Sequence, residues 1–185
     1  MNPDFQKRKE DVLGKLDKSS KKSWDKKILD LCEKINSFGC YYTTSSCAGR
    51  IVLMVDQDKK EEDLFKFVSH DLISFEEVKK QLEKLEGEVK FKLDPPILHV
   101  ACESLEGAQK LYDKAKLVGW KRSGLVSFGK RFILELNSTE KLEFPVFFNG
   151  KILVDEEFLK KVVEISNQKL EKGWSKIENL KKALN

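Results

Sequence analysis

Apolar positions along this 185-residue chain fall into two rhythms, one helical and one alternating. Residues 4 to 17 place Phe5, Val12, Leu13 and Leu16 on roughly one face, which predicts a helix that Gly14 weakens. A polar, basic link from Lys18 to Lys22 leads to a second helix near 24 to 37, where Trp24, Ile28, Leu31 and Ile35 recur at helical spacing and Gly39 marks the turn. Residues 41 to 45 and 50 to 55 read as a strand pair. Asp56 to Asp63 is a charged loop, and Leu64 to Val68 is another strand. Ser74-Phe75-Glu76-Glu77 fits a capping box, in which the serine caps and the glutamate three residues on returns the bond. The helix it opens turns Val78, Leu82 and Leu85 inward and stops at Gly87.

Val89 to Leu93 alternates like a strand. Asp94-Pro95-Pro96 interrupts it, since proline cannot donate to a central ladder, and Ile97 to Cys102 resumes. A helix follows near 105 to 118 with Leu105, Ala108, Leu111, Tyr112 and Ala115 on one side, ended by Gly119. Residues 123 to 128 and 132 to 137 form a hairpin around Gly129-Lys130-Arg131, and Phe144 to Phe148 with Lys151 to Val154 form a second, turned at Asn149-Gly150. Asp155 caps a long helix to about 183, with Phe158, Val162, Ile165, Leu170, Trp174, Ile177 and Leu184 as its buried stripe.

This order predicts an α+β fold: one domain whose mixed β-sheet is flanked by helices, with N-terminal helices over 4–37, an α/β body over 40–154 and a C-terminal helix over 155–183. Ser46-Cys47-Ala48-Gly49-Arg50 before one strand and Ser123-Gly124-Leu125 at the start of another suggest an internal two-half duplication. No strand is followed by G-x-G-x-x-G opening a helix, so a Rossmann arrangement is not expected.

Composition adds limits. No apolar run approaches the roughly 20 residues that span a bilayer, and Met1-Asn2-Pro3-Asp4-Phe5-Gln6-Lys7 lacks the apolar segment of a signal peptide. Cys32, Cys40, Cys47 and Cys102 form no C-x-x-C pair, and two histidines are too few for a zinc cluster at these spacings. A cytoplasmic protein with reduced thiols and no metal is expected. The net charge is only +4, but residues 110 to 131 hold Lys110, Lys114, Lys116, Lys121, Arg122, Lys130 and Arg131 against Asp113 alone. Such a strip suits an anionic macromolecule, or is simply a solvated helix face and a basic hairpin.

The segment Tyr41-Tyr42-Thr43-Thr44-Ser45-Ser46-Cys47-Ala48-Gly49-Arg50-Ile51 concentrates the candidate chemistry. Its small residues leave backbone N–H groups open to a ligand, and Arg50 adds a forked cation suited to phosphate or carboxylate. The alternative is a glycine-containing turn with an exposed arginine. The string Thr43-Thr44-Ser45-Ser46-Cys47-Ala48-Gly49-Arg50-Ile51 resembles the signature of the tRNA wybutosine-synthesizing protein 3 family. Phe5-Gln6-Lys7-Arg8-Lys9, Leu16-Asp17-Lys18-Ser19, Val68-Ser69-His70, Leu98-His99-Val100-Ala101-Cys102, Ser123-Gly124-Leu125 and Ile165-Ser166-Asn167-Gln168-Lys169 extend the resemblance over nearly the whole chain. Two positions depart from the family: Asp94 stands where glutamate is usual, and Lys22 where glycine is common.

The resemblance implies an S-adenosylmethionine-dependent tRNA methyltransferase. It would methylate N4 of a 4-demethylwyosine-type base at position 37, in the anticodon loop of phenylalanine tRNA, during wybutosine biosynthesis. It also makes His70 and His99 candidate catalytic residues with Asp94, each histidine able to orient the base or take a proton. Ser46, Cys47, Gly49, Ser123 and Gly124 become candidates for cofactor binding. Arg50, Lys21, Lys121, Arg122, Lys130 and Arg131 become candidates for substrate phosphates, as do Lys7, Arg8 and Lys22. Tyr42, with Tyr41 and Trp120, is a candidate for stacking on a base. Three rivals remain: a noncatalytic tRNA-binding module, an RNA-modifying enzyme with Cys47 as nucleophile, and a subunit whose C-terminal helix docks a partner.

Overall fold

The computed structural model describes residues 2–14, 25–55, 64–129 and 131–185. Its elements are α1 (Pro3–Leu13), α2 (Lys26–Asn36), β1 (Tyr41–Cys47), β2 (Arg50–Val55), β3 (Phe65–Ser69), α3 (Phe75–Leu82), β4 (Val89–Asp94), β5 (Ile97–Cys102), α4 (Leu105–Leu117), β6 (Gly124–Phe128), β7 (Phe132–Asn137), β8 (Leu142–Phe148), β9 (Lys151–Ile152) and α5 (Glu156–Ala183). The α+β class without a Rossmann arrangement holds. The expected mixed sheet is instead two sheets, β1-β5-β7-β6 and β3-β2-β4-β8-β9, antiparallel at every pairing.

The chain changes sheet at Ala48-Gly49, at Pro95-Pro96 and at Thr139-Glu140. Strands that follow one another in sequence are therefore shared between two sheets, and β1 and β2 are not the expected pair. Gly49 makes the first of these passages at φ 99°, a conformation that costs a residue with a Cβ. Two compact units result, one of Met1–Ala48, Pro96–Thr139 and Gly173–Asn185, the other of Gly49–Pro95 and Glu140–Lys172.

In the first unit, one face of the sheet gives Leu98, Val100 and Cys102 of β5 and Leu134 and Leu136 of β7 to a core shared with Ile28, Leu31 and Ile35 of α2, Leu111 of α4 and Ile177 and Leu180 of α5. Each fully buried aliphatic side chain contributes about 1.5–3 kcal/mol. On the other face, Tyr42 and Ala101 pack with Phe5 of α1, and Val12 and Ile133 lie against them. Helix α1 ends at Leu13, short of the expected 17, because Gly14 caps it and donates to the Glu10 carbonyl. Leu16, the basic link, Trp24 and the Asp56–Asp63 loop lie outside the described residues.

In the second unit, Ile51 and Leu53 of β2 and Val89, Phe91 and Leu93 of β4 are buried. Phe144 of β8 stacks on Phe91, and Phe158 of α5 meets Phe144 edge-on. The expected stripe of α5 shifts by one residue at its start: Leu159 is buried while Phe158 is exposed. The capping box at Ser74 forms as expected, and the Asn149-Gly150 turn has both residues at positive φ.

Candidate functional site

A single row of paired residues crosses the first sheet. Ser45 of β1 faces His99 of β5, His99 faces Glu135 of β7, and Glu135 faces Gly124 of β6. Directly paired residues share a face, and the strand alternation puts this face opposite the Leu98, Val100, Leu134 and Leu136 core. Ser45 Oγ lies 2.8 Å from Nδ1 of His99, and Nε2 of His99 lies 3.0 Å from Oε2 of Glu135. Both side chains of the His99–Glu135 pair keep 27% exposure. Gly124 closes the row with bare backbone, since a Cβ there would meet nothing within 4 Å.

A bulge places Ser45 in the row. Thr43 pairs with Val100 and Ser45 with His99, so Thr44 is the extra residue. Without it, Thr44 would stand opposite His99, and every later side chain of β1 would switch face. Beyond the bulge Ser46 pairs with Leu98. It hydrogen-bonds Cys32, whose thiol burial pushes up to about 11 while that bond works the other way. Asp25, the N-cap of α2, accepts from the N–H groups of Lys27 and, at 2.9 Å, of Ala48. One carboxylate thus starts a helix and fixes the end of the small-residue segment.

The second unit carries a charged cluster of its own. Arg50 pairs with Asp94 in register, and its Nε donates to Oδ2 at 3.0 Å. Lys92 Nζ lies 3.0 Å from Oδ1 of the same carboxylate. The guanidinium carbon stands 4.9 Å from the Phe65 ring centroid. Asp94 therefore serves two cations of its own strand neighbourhood, which suits a residue that orients Arg50. His70 follows β3 in the same unit and is half-buried.

Of the candidates, the first unit holds Tyr42, Ser46, Cys47, His99, Lys121, Arg122, Ser123, Gly124 and Arg131, and the second holds Gly49, Arg50, His70 and Asp94. Lys21 and Lys130 lie outside the described residues. Ser123 uses its hydroxyl in the fold, donating to the Trp120 carbonyl and accepting from Asn137 N. None of the three stacking candidates is at the surface: Tyr41 is buried with its hydroxyl donating to the Gly107 carbonyl. Tyr42 is buried against Phe5 with its hydroxyl accepting from Arg131, and Trp120 is buried with Nε1 donating to the Lys176 carbonyl. Large rings repay burial once their polar atom finds a partner.

The sequence reading missed Asp25, Ser45 as a side chain of the row, Glu135 and Asn137. Asn137 donates to Glu135 at 3.4 Å, and its own Oδ1 is buried without a partner. A signal for the last two was present. In Phe132-Ile133-Leu134-Glu135-Leu136-Asn137, polar residues take alternate places in an otherwise apolar strand.

The family model for Methyltransferase TYW3 matches residues 7–185. The tRNA wybutosine-synthesizing protein 3 homolog of Danio rerio is 36% identical over 187 residues, covering 97% of this chain and 74% of its own. A protein of Archaeoglobus fulgidus named tRNA(Phe) 7-((3-amino-3-carboxypropyl)-4-demethylwyosine(37)-N(4))-methyltransferase is 36% identical over 180 residues, covering 96% and 91%. A solved structure of a Pyrococcus horikoshii protein superimposes with a TM-score of 0.88 at 35% identity, over 98% of this chain and 95% of that one. A solved hypothetical protein from Aeropyrum pernix gives a TM-score of 0.76 at 25% identity, over 86% and 96%. With a family match running almost from end to end, the chain belongs to the Methyltransferase TYW3 family.

Proposed function

We propose that this protein transfers a methyl group from S-adenosylmethionine to the N4 ring nitrogen of a 4-demethylwyosine-type base at position 37 of phenylalanine tRNA. The observation that carries the reading is the match, over 96% of this chain, to an Archaeoglobus fulgidus protein named for that reaction. A cytoplasmic location goes with it, and no described helix is long and apolar enough to cross a membrane.

The residues of the first unit suit the methyl donor. Bare backbone at Gly124 leaves room beside β6 for part of that cofactor. Ser46, Cys47, Ser123 and Gly124 are the candidate cofactor contacts there, and Gly49 is the candidate in the second unit. When bound, the cofactor supplies an electrophilic methyl group. What the chain must add is alignment of the target nitrogen and an acceptor for its proton. His99, held on both ring nitrogens, is a candidate for orienting the base or taking its proton, and His70 is a separate candidate in the second unit. In the second unit Asp94 aims the Arg50 fork at a phosphate. Lys121 and Arg122 are exposed and Arg131 is half-buried, so these three can meet further phosphates, which position RNA without reading its sequence.

The test is reconstitution. The protein is incubated with S-adenosylmethionine and phenylalanine tRNA carrying the demethylated precursor, and the nucleosides are digested and weighed. The expected result is a base that gains one methyl group, with the gain lost in Arg50→Ala and His99→Ala. Tight tRNA binding without any gain would overturn the reading and favour a noncatalytic tRNA-binding module.

A further inference from the structure

The row Ser45–His99–Glu135 has a direction, and that direction decides what Ser45 can offer a ligand. A carboxylate accepts hydrogen bonds and does not donate them. At 3.0 Å from Oε2 of Glu135, Nε2 of His99 must carry the proton. A neutral imidazole has one N–H, so Nδ1 is bare and accepts. Its partner at 2.8 Å is the Ser45 hydroxyl, which must therefore donate. With its only proton committed inward, Ser45 turns oxygen lone pairs to the exposed side.

We infer that Glu135 is a positioning residue. It fixes the His99 tautomer and, through it, makes the Ser45 hydroxyl a hydrogen-bond acceptor for an N–H group of the bound base. This deepens the proposed methyl transfer and rests on it. The new N–C bond forms as the bond from that methyl carbon to sulfur breaks, the bonding electrons leaving with sulfur. The proton of the target nitrogen passes to Ser45 Oγ while the Ser45 proton moves to bare Nδ1 of His99, whose imidazolium stays paired with Glu135. An acceptor at Ser45 holds that N–H and keeps the nitrogen lone pair directed at the incoming carbon. A hydroxyl free to rotate would also present its own proton and oppose this pose. Glu135 acts on that N–H from two groups away, through His99 and Ser45. Its carboxylate is steadied in turn by the Asn137 amide at Oε1.

The test joins a spectroscopic readout to kinetics. The chain has two histidines, so long-range nitrogen–proton spectra of the wild type and of His99→Gln assign the His99 ring without ambiguity. The expected result is the Nε2–H tautomer in the wild type, and a mixture of tautomers in Glu135→Leu. That variant lowers kcat about 10- to 100-fold, the range for removing a group that orients a reacting side chain, with KM for S-adenosylmethionine unchanged. In Glu135→Gln the amide oxygen still accepts from Nε2, so the tautomer and most of kcat are retained. An Nδ1–H or doubly protonated His99 in the wild type at pH 8 would overturn the inference, as would a folded Glu135→Leu protein with full kcat. Circular dichroism confirms folding, and Glu135→Gln with the wild-type spectrum decides the matter if Glu135→Leu does not fold. A wild type inactive on the tRNA would remove the proposed function, while the tautomer would still judge the geometry.

Discussion

Asn36 and Thr43 hold each other twice: Thr43 N donates to Asn36 Oδ1 at 2.8 Å, and Asn36 Nδ2 donates to Thr43 Oγ1 at 3.0 Å. The last residue of α2 is thereby bound to β1 just before the bulge that brings Ser45 opposite His99. Thr43 is 2% exposed, so its N–H has no water to turn to if the amide is removed.

Asn36→Ala is therefore expected to cost about 2 kcal/mol, the penalty for leaving a buried donor unpaired together with a lost hydrogen bond. It should also loosen the register after Thr43 and weaken S-adenosylmethionine binding more than Ser37→Ala does. The Ser37 hydroxyl donates to the Lys34 carbonyl at the exposed helix end, and this residue serves as the control. Urea unfolding and calorimetric titration of the cofactor read the two effects. Wild-type affinity in a destabilised Asn36→Ala would show that the clamp supports the fold and not the site.

The Arg50–Asp94 pair separates stability from function. The two side chains are 32% and 20% exposed, so solvent screens much of their attraction. A double-mutant cycle with Arg50→Ala and Asp94→Ala should return a coupling of about 0.5–1 kcal/mol at most. Methyl transfer should fall at least about tenfold in Arg50→Ala, because a charge-assisted phosphate contact contributes more than a screened surface pair. Arg50→Lys should recover little of it, since an ammonium cannot make the forked contact. Full activity in Arg50→Ala would leave the arginine a merely structural residue.

Much of the fold was legible along the chain because the signals were local. The capping box at Ser74, the Asn149-Gly150 turn and the Asp155 cap each depend on residues a few positions apart. What was hidden depends on partners far away in sequence. Nothing near Ala48 says that β1 will pair with β5, and β2 with β4, instead of with each other. The bulge at Thr44 exists only relative to Val100 and His99. In the candidate site, the small-residue segment stood out by composition, and His99 came with the family resemblance. Glu135 did not, because a lone acid in a strand reads as a solvated position until its register opposite His99 is known. Tyr42 and Trp120 failed as surface candidates for the same reason, since a helix packs over one and α5 receives the indole N–H of the other.

The four cysteines should divide by access. Cys32 and Cys102 are 1% and 0% exposed, and burial pushes their thiols from 9.0 up to about 11 and about 12. Iodoacetamide at pH 8 should alkylate the half-buried Cys40 and Cys47 while sparing these two until urea is added, which peptide mass spectrometry resolves. The same shifts predict a pH effect. Above pH 9 the unfolded thiols ionise while the buried ones stay protonated, so the folded state binds more protons and stability falls as pH rises toward 11. Cys102→Ala should make that alkaline decline shallower, and an unchanged slope would remove the thiol as its cause.

Gly173 lies inside α5, where alanine would ordinarily stabilise by up to about 1 kcal/mol. Here the sign should reverse. A Cβ at Gly173 would stand 2.7 and 2.8 Å from Cγ and Cδ of Pro96, and a proline ring cannot rotate away as a flexible side chain does. Overpacking of this kind costs about 1–3 kcal/mol, which outweighs the propensity gain. Gly173→Ala should accordingly lower the melting temperature. Pro96→Ala removes both clashing carbons, so in that background the same Gly173→Ala change should raise the melting temperature. The reversal between the two backgrounds is the decisive reading, because a change that destabilised equally in both would place the cost elsewhere than in the contact between this helix and the residue just before β5.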